Sequence, residues 1–203
     1  MDAIKAMKER HSVRKYEKGH VIPEETFNEI LEATIEAPSS WNLQHWRFLI
    51  IDDEKQKETL LPIAYNQQQI VDSSATIAIL GDLEADKVAD EVYREAVEKG
   101  FMDEGVKATL VKQIQGAYEN KQFARDEAFL NASLAASQLM LAAKAKGYDT
   151  VPMGGFDRKK FVEAFNVPER YVPVMLLPIG KAAQQAHGTG RFPLEDVVIK
   201  NSF

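Results

Sequence analysis

Cysteine is absent from this 203-residue chain. That excludes thiol catalysis, disulfide frameworks and cysteine-ligated zinc, and it fits a reducing compartment. A chain of this length buries roughly 70% of the surface its unfolded form exposes, so it needs neither staple nor metal to hold a core. Histidine is sparse: the four, at 11, 20, 45 and 187, lack ligand spacing, and no metal site is expected. Excess positive charge is missing too. Lys and Arg number 25 against 31 Asp and Glu, for a net charge of -6, whereas nucleic-acid binding rests on a basic surface. Long apolar runs are lacking as well. The uncharged stretch 128–143 carries Asn131, Ser133, Ser137 and Gln138 and falls short of the roughly 20 residues that span a bilayer. The opening MDAIKAMKER is charged from its second residue, unlike a signal peptide. A soluble, cytoplasmic protein is expected.

Several familiar sites are also missing. Gly100 and Gly105 have phosphate-loop spacing, but Val106 stands where the lysine belongs. No G-x-G-x-x-G follows a strand, so a dinucleotide held on a Rossmann unit has no support. G-x-S-x-G and H-E-x-x-H are absent. Asn131-Ala132-Ser133 matches a glycosylation sequon, without meaning where no secretory signal is found.

What is present patterns as one domain over 1–203. A short helix is expected over Ala3 to Glu9 with Ile4 and Met7 buried, then an extended segment from Ser12 to Tyr16. Pro23 suits a first helical position, and Phe27, Ile30, Leu31, Thr34 and Ile35 trace one helical face. Phe48 to Ile51 and Ala75 to Leu80 are strand candidates, the latter closed by Gly81. From Glu84 to Gly147 the chain reads as largely helical, with Gly100 and Gly147 at C-terminal caps. The stretch from about Ala124 to Lys146 is rich in small residues, suited to close packing at a domain centre or a subunit interface. Val172 to Ile179 reads as a strand bounded by prolines, and Val197 to Ile199 as a terminal one. Helices and strands do not alternate regularly, so the class is α+β.

Four segments carry candidate chemistry. In extended Arg10-His11-Ser12-Val13-Arg14, alternate side chains share a face, bringing two guanidiniums and a hydroxyl to one planar or phosphate acceptor. Pro38-Ser39-Ser40-Trp41-Asn42-Leu43-Gln44-His45-Trp46 lies between a helix end and a strand. There Asn42 and Gln44 offer donor-acceptor amides to a uracil-like ring edge. In Val151-Pro152-Met153-Gly154-Gly155-Phe156-Asp157, consecutive glycines let a ligand lie on bare backbone. Gly188-Thr189-Gly190-Arg191-Phe192-Pro193 presents one arginine. Singly, such a segment reads first as a solvated turn or loop.

Together, in this order over residues 10 to 193 and with Asn66 and Gln69 before Asp72, they resemble the FMN-dependent nitroreductase family. The resemblance implies a mainly antiparallel sheet flanked by helices, in an intertwined homodimer with FMN at the interface. It implies that Arg10, His11, Ser12 and Arg14 meet the cofactor from one subunit, with Arg191 at the phosphate, while Ser39, Ser40, Asn42 and Gln44 approach from the partner. Asn66 and Gln69 would face the ring, and the Pro152-Met153-Gly154-Gly155 backbone would run near its N5. Tyr65, Trp41 and Phe123 would line the substrate pocket, and 193–203 would form an arm on the other subunit. Arg14 serves either the N1–C2=O edge or the phosphate, since its fork suits both.

The resemblance further implies an NAD(P)H-dependent reductase of nitroaromatics, quinones or similar flat rings, with both substrates visiting one pocket in turn. Storage or sensing without turnover, flavin fragmentation on the same scaffold, and an interaction domain are the alternatives. His45 stands where many relatives have proline, and Gly154 and Gln69 replace residues charged in some branches, so the acceptor and the preferred nicotinamide stay open.

Overall fold

A computed structural model of the chain describes residues 1–203. Its strands are β1 (Trp46–Ile51), β2 (Ala75–Asp82), β3 (Asp149–Thr150) and β4 (Tyr171–Gly180), paired antiparallel in the order β1-β2-β4-β3. The helices are α1 (Ala3–Glu9), α2 (Glu24–Ile35), α3 (Glu54–Ile63), α4 (Gln69–Asp72), α5 (Ala89–Glu98), α6 (Glu104–Tyr118), α7 (Lys121–Ala145), α8 (Arg158–Ala164) and α9 (Leu194–Val197).

The sheet is covered on both faces, and β2 shows how. All eight of its residues are buried, so it reads as an unbroken apolar run, but alternate side chains enter different cores. Ile77 and Ile79 join Leu177 and Ile179 of β4 beneath α2 and α7, meeting Ile30, Ala132, Ala136 and Leu139. Ala78 and Leu80 join Leu176 on the other face, against Leu60 and Ile63 of α3, Ile70 of α4 and Phe161 of α8. A third, small cluster of Leu43, Ala85, Ala89 and Ile114 sits under α5 and α6.

The small residues of α7 let it ride against the sheet. Gly81 lies inside β2 rather than closing it, and a Cβ there would stand 2.7 Å from the Ala128 carbonyl oxygen. Gly100 and Gly147 follow helix ends at φ 72 and 85, the left-handed turn that glycine adopts without a Cβ penalty.

Other expectations shift for physical reasons. Pro23 directly precedes α2, its carbonyl taking the Phe27 N–H at 2.9 Å. Pro173 and Pro178 lie within β4 rather than at its ends. Pro173 sits where the β2–β4 register shifts, at a bulge. The Pro178 carbonyl accepts from Val151 on the β3 side, so its missing N–H takes no bond from β2. Ile4 and Met7 are 59% and 54% exposed, because the seven-residue α1 meets α7 through buried Ala6. Val197 to Ile199 is not a strand: Leu194–Val197 forms one helical turn and the rest is irregular, with nothing in the single chain to pair it.

Candidate functional site

The candidate residues gather into two groups on one chain, and Arg191 is hydrogen-bonded to neither. In the first group, residues 12–16 run along the β3–β4 edge. The Val13 N–H donates to the Thr150 carbonyl at 3.1 Å, Ser12 bridges Thr150, and the Tyr16 hydroxyl donates to the Pro178 carbonyl at 3.2 Å. Val13 and Tyr16 point inward, whereas Arg10, His11 and Ser12 are half-buried and Arg14 is exposed. His11 Nδ1 lies 2.9 Å from the Glu9 carbonyl. Burial pushes the Tyr16 phenol far above its ordinary value, Asp149 adds to this, and nearby Arg14 opposes it.

The loop after α3 meets the glycine segment. Asn66 N donates to the Leu61 carbonyl at 2.9 Å, and Asp157 N to the Ile63 carbonyl at 2.9 Å. Gln67 Nε2 donates to the Gly155 carbonyl at 2.9 Å and the Ala64 carbonyl at 3.1 Å. Buried Gln69 donates to Gln67 Oε1 at 3.2 Å and lies 3.5 Å from Met153 Sδ. Met153 is itself bridged to Leu176 of β4. Pro152, Gly154 and Gly155 are exposed, and nothing stands within 4 Å of where a Gly154 Cβ would lie. Tyr65 and Asn66 immediately precede Gln67, which holds this segment, and Tyr65 is 64% exposed.

The second group is the turn Ser39 to His45. Ser39 Oγ accepts from Gln44 N at 3.0 Å, the Gln44 amide donates to the Asn42 carbonyl at 3.3 Å, and Ser40 N donates to Asn131 Oδ1 at 2.8 Å. Asn42 and Gln44 keep exposed side chains while Leu43 anchors the turn in the small cluster. Trp41 meets Phe123 of α7 edge-on at 6.1 Å, and its carbonyl accepts from the Tyr93 hydroxyl at 3.2 Å. His45 is fully buried, its Nε2 2.6 Å from the Tyr118 hydroxyl. Burial holds His45 below the ordinary histidine value, against opposing pulls from Glu127 and Asp82.

Both groups store backbone strain. Trp41, Asn42 and Gln44 have φ of 52, 57 and 49, and Tyr65 and Asn66 of 54 and 55. Left-handed geometry costs a bulky residue such as Trp41 or Tyr65 about 1–3 kcal/mol, and such strain concentrates at functional sites.

Arg191 is exposed and bonds only within its own loop, to Thr189 and Gly190. No ion pair involves it, Arg10 or Arg14. Sequence reasoning missed Gln67, whose amide joins the two loops of the first group, and Asn131, noted only as a polar break in an apolar stretch and as part of a sequon. Asn131 is 1% exposed in a helix otherwise packed with alanine; a lone buried amide in such a stretch was the available signal.

An antiparallel α+β frame that presents two strained, amide-bearing loops and a bare diglycine backbone defines a nitroreductase-like scaffold. The model of the Nitroreductase family matches residues 7–181, and the chain belongs to that family. It is 52% identical, over 97% of each chain, to YodC of Bacillus subtilis, described as an NAD(P)H nitroreductase. A crystal structure from Exiguobacterium sibiricum, described as a nitroreductase in complex with FMN, superposes with a TM-score of 0.90 at 43% identity, covering 98% of this chain and 97% of that one. The CLA biosynthesis enone reductase of Lactiplantibacillus plantarum is 33% identical over 94% of this chain and 90% of its own.

Proposed function

We propose that this chain is an FMN-dependent NAD(P)H oxidoreductase that reduces nitroaromatics, quinones and similar flat, electron-poor compounds by a two-electron ping-pong cycle. One observation carries the reading: Gln67 ties the loop that follows the strained Tyr65-Asn66 turn to Gly155, leaving bare backbone at Gly154 next to Met153, which the Gln69 amide meets. That is a surface a planar ring can lie against, with amide edges to fix its orientation. When bound, FMN supplies the hydride chemistry, and the protein supplies position and charge.

The residues fit the group. Arg10, Arg14 and Arg191 are unpaired guanidiniums on a chain of net charge -6, suited to a phosphate and to the electron-rich edge of a reduced ring. Ser12 adds a hydroxyl and Ser39, Ser40, Asn42 and Gln44 further donors. Tyr65, Trp41 and Phe123 offer flat faces to a flat acceptor. A nitroaromatic and an enone share an electron-poor π system, so the enone reductase relative favours extending the acceptors to conjugated alkenes.

No hydrogen bond, ion pair or aromatic contact joins the two groups of site residues within one protomer, which supports a homodimer that completes each site from two chains. Ile4 and Met7 of α1 and Leu130 and Leu134 of α7 are exposed apolar residues, as an unpaired interface would be. The segment 193–203, with Leu194, Val198 and Phe203 exposed, is the arm reaching the partner, and 1–203 acts as one domain. No helix is long and apolar enough to cross a membrane.

The purified protein should be yellow and release FMN on denaturation. NADH or NADPH under argon should bleach it, and menadione or a nitroaromatic should restore the colour. A protein that takes up no FMN overturns the proposal, and bleaching without recovery points to storage. Double-reciprocal plots should be parallel; intersecting lines would argue for two separate pockets.

A further inference from the structure

Behind Trp41 and Phe123 lies a polar pair to which the flavin chemistry gives no role. His45 is fully buried, its Nε2 is 2.6 Å from the Tyr118 hydroxyl, and its Nδ1 is buried with no partner. Tyr118, the last residue of α6, meets Phe123 edge-on at 5.8 Å and 84°. Phe123, in the first turn of α7, meets Trp41 at 6.1 Å and 60°. A line of contacts therefore runs from a buried imidazole through two rings to a half-buried indole held in left-handed geometry.

Stability alone is a poor account of the pair. Burying an imidazole with one ring nitrogen unsatisfied costs free energy that a single hydrogen bond does not return, and an apolar pair of the same size would do better. What the bond does supply is direction. It fixes where the Tyr118 ring stands, and aromatic side chains have two torsions to fix. Tyr93 acts on the same turn from α5, through the Trp41 carbonyl, so the indole is set from both helices of the α5–α6 hairpin.

We propose that His45 and Tyr118 are positioning residues for the electron acceptor: their hydrogen bond sets the Tyr118 ring, and through Phe123 the stance of Trp41, which limits the size of ring the pocket admits. This rests on the reading of Trp41 and Phe123 as acceptor walls. Neither His45 nor Tyr118 touches the acceptor, so their loss should alter selection between acceptors and leave the intrinsic rate alone.

Three variants test this. Tyr118→Phe removes only the hydroxyl, His45→Leu removes the imidazole, and His45→Gln places an amide nitrogen near the position of Nε2. At saturating NADH, KM and kcat would be measured for benzoquinone, menadione and an anthraquinone sulfonate. Tyr118→Phe and His45→Leu should shift the anthraquinone-to-benzoquinone KM ratio by about five-fold, the worth of one neutral hydrogen bond. FMN content and the benzoquinone kcat should hold, and His45→Gln should restore the ratio. Acrylamide quenching of flavin-free protein reads the same device without turnover. Of the two tryptophans, Trp46 is 4% exposed, so the quenchable signal belongs to Trp41 and should rise in Tyr118→Phe but not in His45→Gln. KM values that move together or not at all, or unchanged quenching, overturn the proposal. If His45→Leu fails to fold, Tyr118→Phe decides. A wild-type protein that NAD(P)H cannot reduce sinks the preceding reading instead, and the quenching comparison still judges the His45–Tyr118 contact.

Discussion

The two halves of the candidate site are built to different standards. The half containing Met153, Gly155, Gln67 and Gln69 is woven into the sheet: Met153 exchanges backbone bonds with Leu176 of β4, and the loop after α3 rests on a core that reaches both β2 and β4. The half containing Ser39 to His45 meets the sheet through one backbone bond, from the Asp82 N–H to the His45 carbonyl, and through Arg47 on the Gln44 carbonyl; beyond that it hangs from single side-chain bonds to Asn131, Tyr93 and Tyr118, over a cluster of four small or medium buried side chains. The difference teaches where each task is placed. On the proposed reading, the surface that holds one cofactor in one pose is tied to the frame, whereas the wall that admits varied acceptors is tied to a hairpin with little core of its own. Stability is unevenly spread in just this way when a region has few buried apolar contacts, so amides of α5 and α6 should exchange sooner than those of β2.

The largest effect should come from erasing the contrast altogether. Asp82, at the end of β2, is 1% exposed and takes two bonds from Arg170 at 2.8 and 2.7 Å, while its N–H donates to the His45 carbonyl at 2.6 Å. Arg170→Ala leaves that carboxylate buried without its main partner. It should cost about 3 kcal/mol, at the low end for a broken buried pair because Arg170 is partly exposed. Urea unfolding would measure this, and a loss under 1 kcal/mol would mean that water already serves Asp82.

Asn131→Ala should come next, at about 2 kcal/mol, because the Ser40 N–H loses its only acceptor inside the fold. The turn from Ser39 should loosen while β2 exchange stays protected; equal loss of protection in both would refute a separately hung half. Gln67→Ala should cost about 1 kcal/mol for its bonds to Gly155 and Ala64, with weaker flavin retention and an unchanged ratio of acceptor KM values. A shifted ratio would mean that the halves are coupled.

The smallest effect is acid. His45 titrates below the ordinary 6.5 because it is buried, with Glu127 and Asp82 too weak to offset that. The unfolded chain therefore takes up the proton first as pH falls. Its contribution to stability is intact above about 6.5 and declines as pH drops toward the lower folded value. His45→Gln should flatten that part of a melting-temperature profile.

Much of this was legible in the sequence, and the failures are instructive. β1, β2 and α7 announced themselves because burial imposes a pattern, whereas the glycine, amide and arginine segments stand out only through their joint order along the chain. Val197 to Ile199 read as a strand because β-branched residues suit one, but strand formation needs a neighbour, and a single chain supplies none. Ile4 and Met7 were assigned inward on periodicity; a helix of under two turns turns only Ala6 to α7. The turn at Trp41 could not have been read, since the contacts that hold it include Tyr93 and Asn131, which come from outside the segment.

Gly81 has a consequence for descent. Because main chain meets main chain there, with a Cβ placed 2.7 Å from the Ala128 oxygen, the height of α7 above the sheet is written at a single position inside β2. A lineage that drifted at residue 81 would have to lift α7, and Asn131, three residues beyond Ala128, would draw Ser40 with it. The second half of the site thus inherits its placement from a residue paired with the strand that follows it, while the glycine segment, hung on β4, would keep its own. Change in this scaffold has an open route through the α5–α6 hairpin and a closed one through the floor of α7.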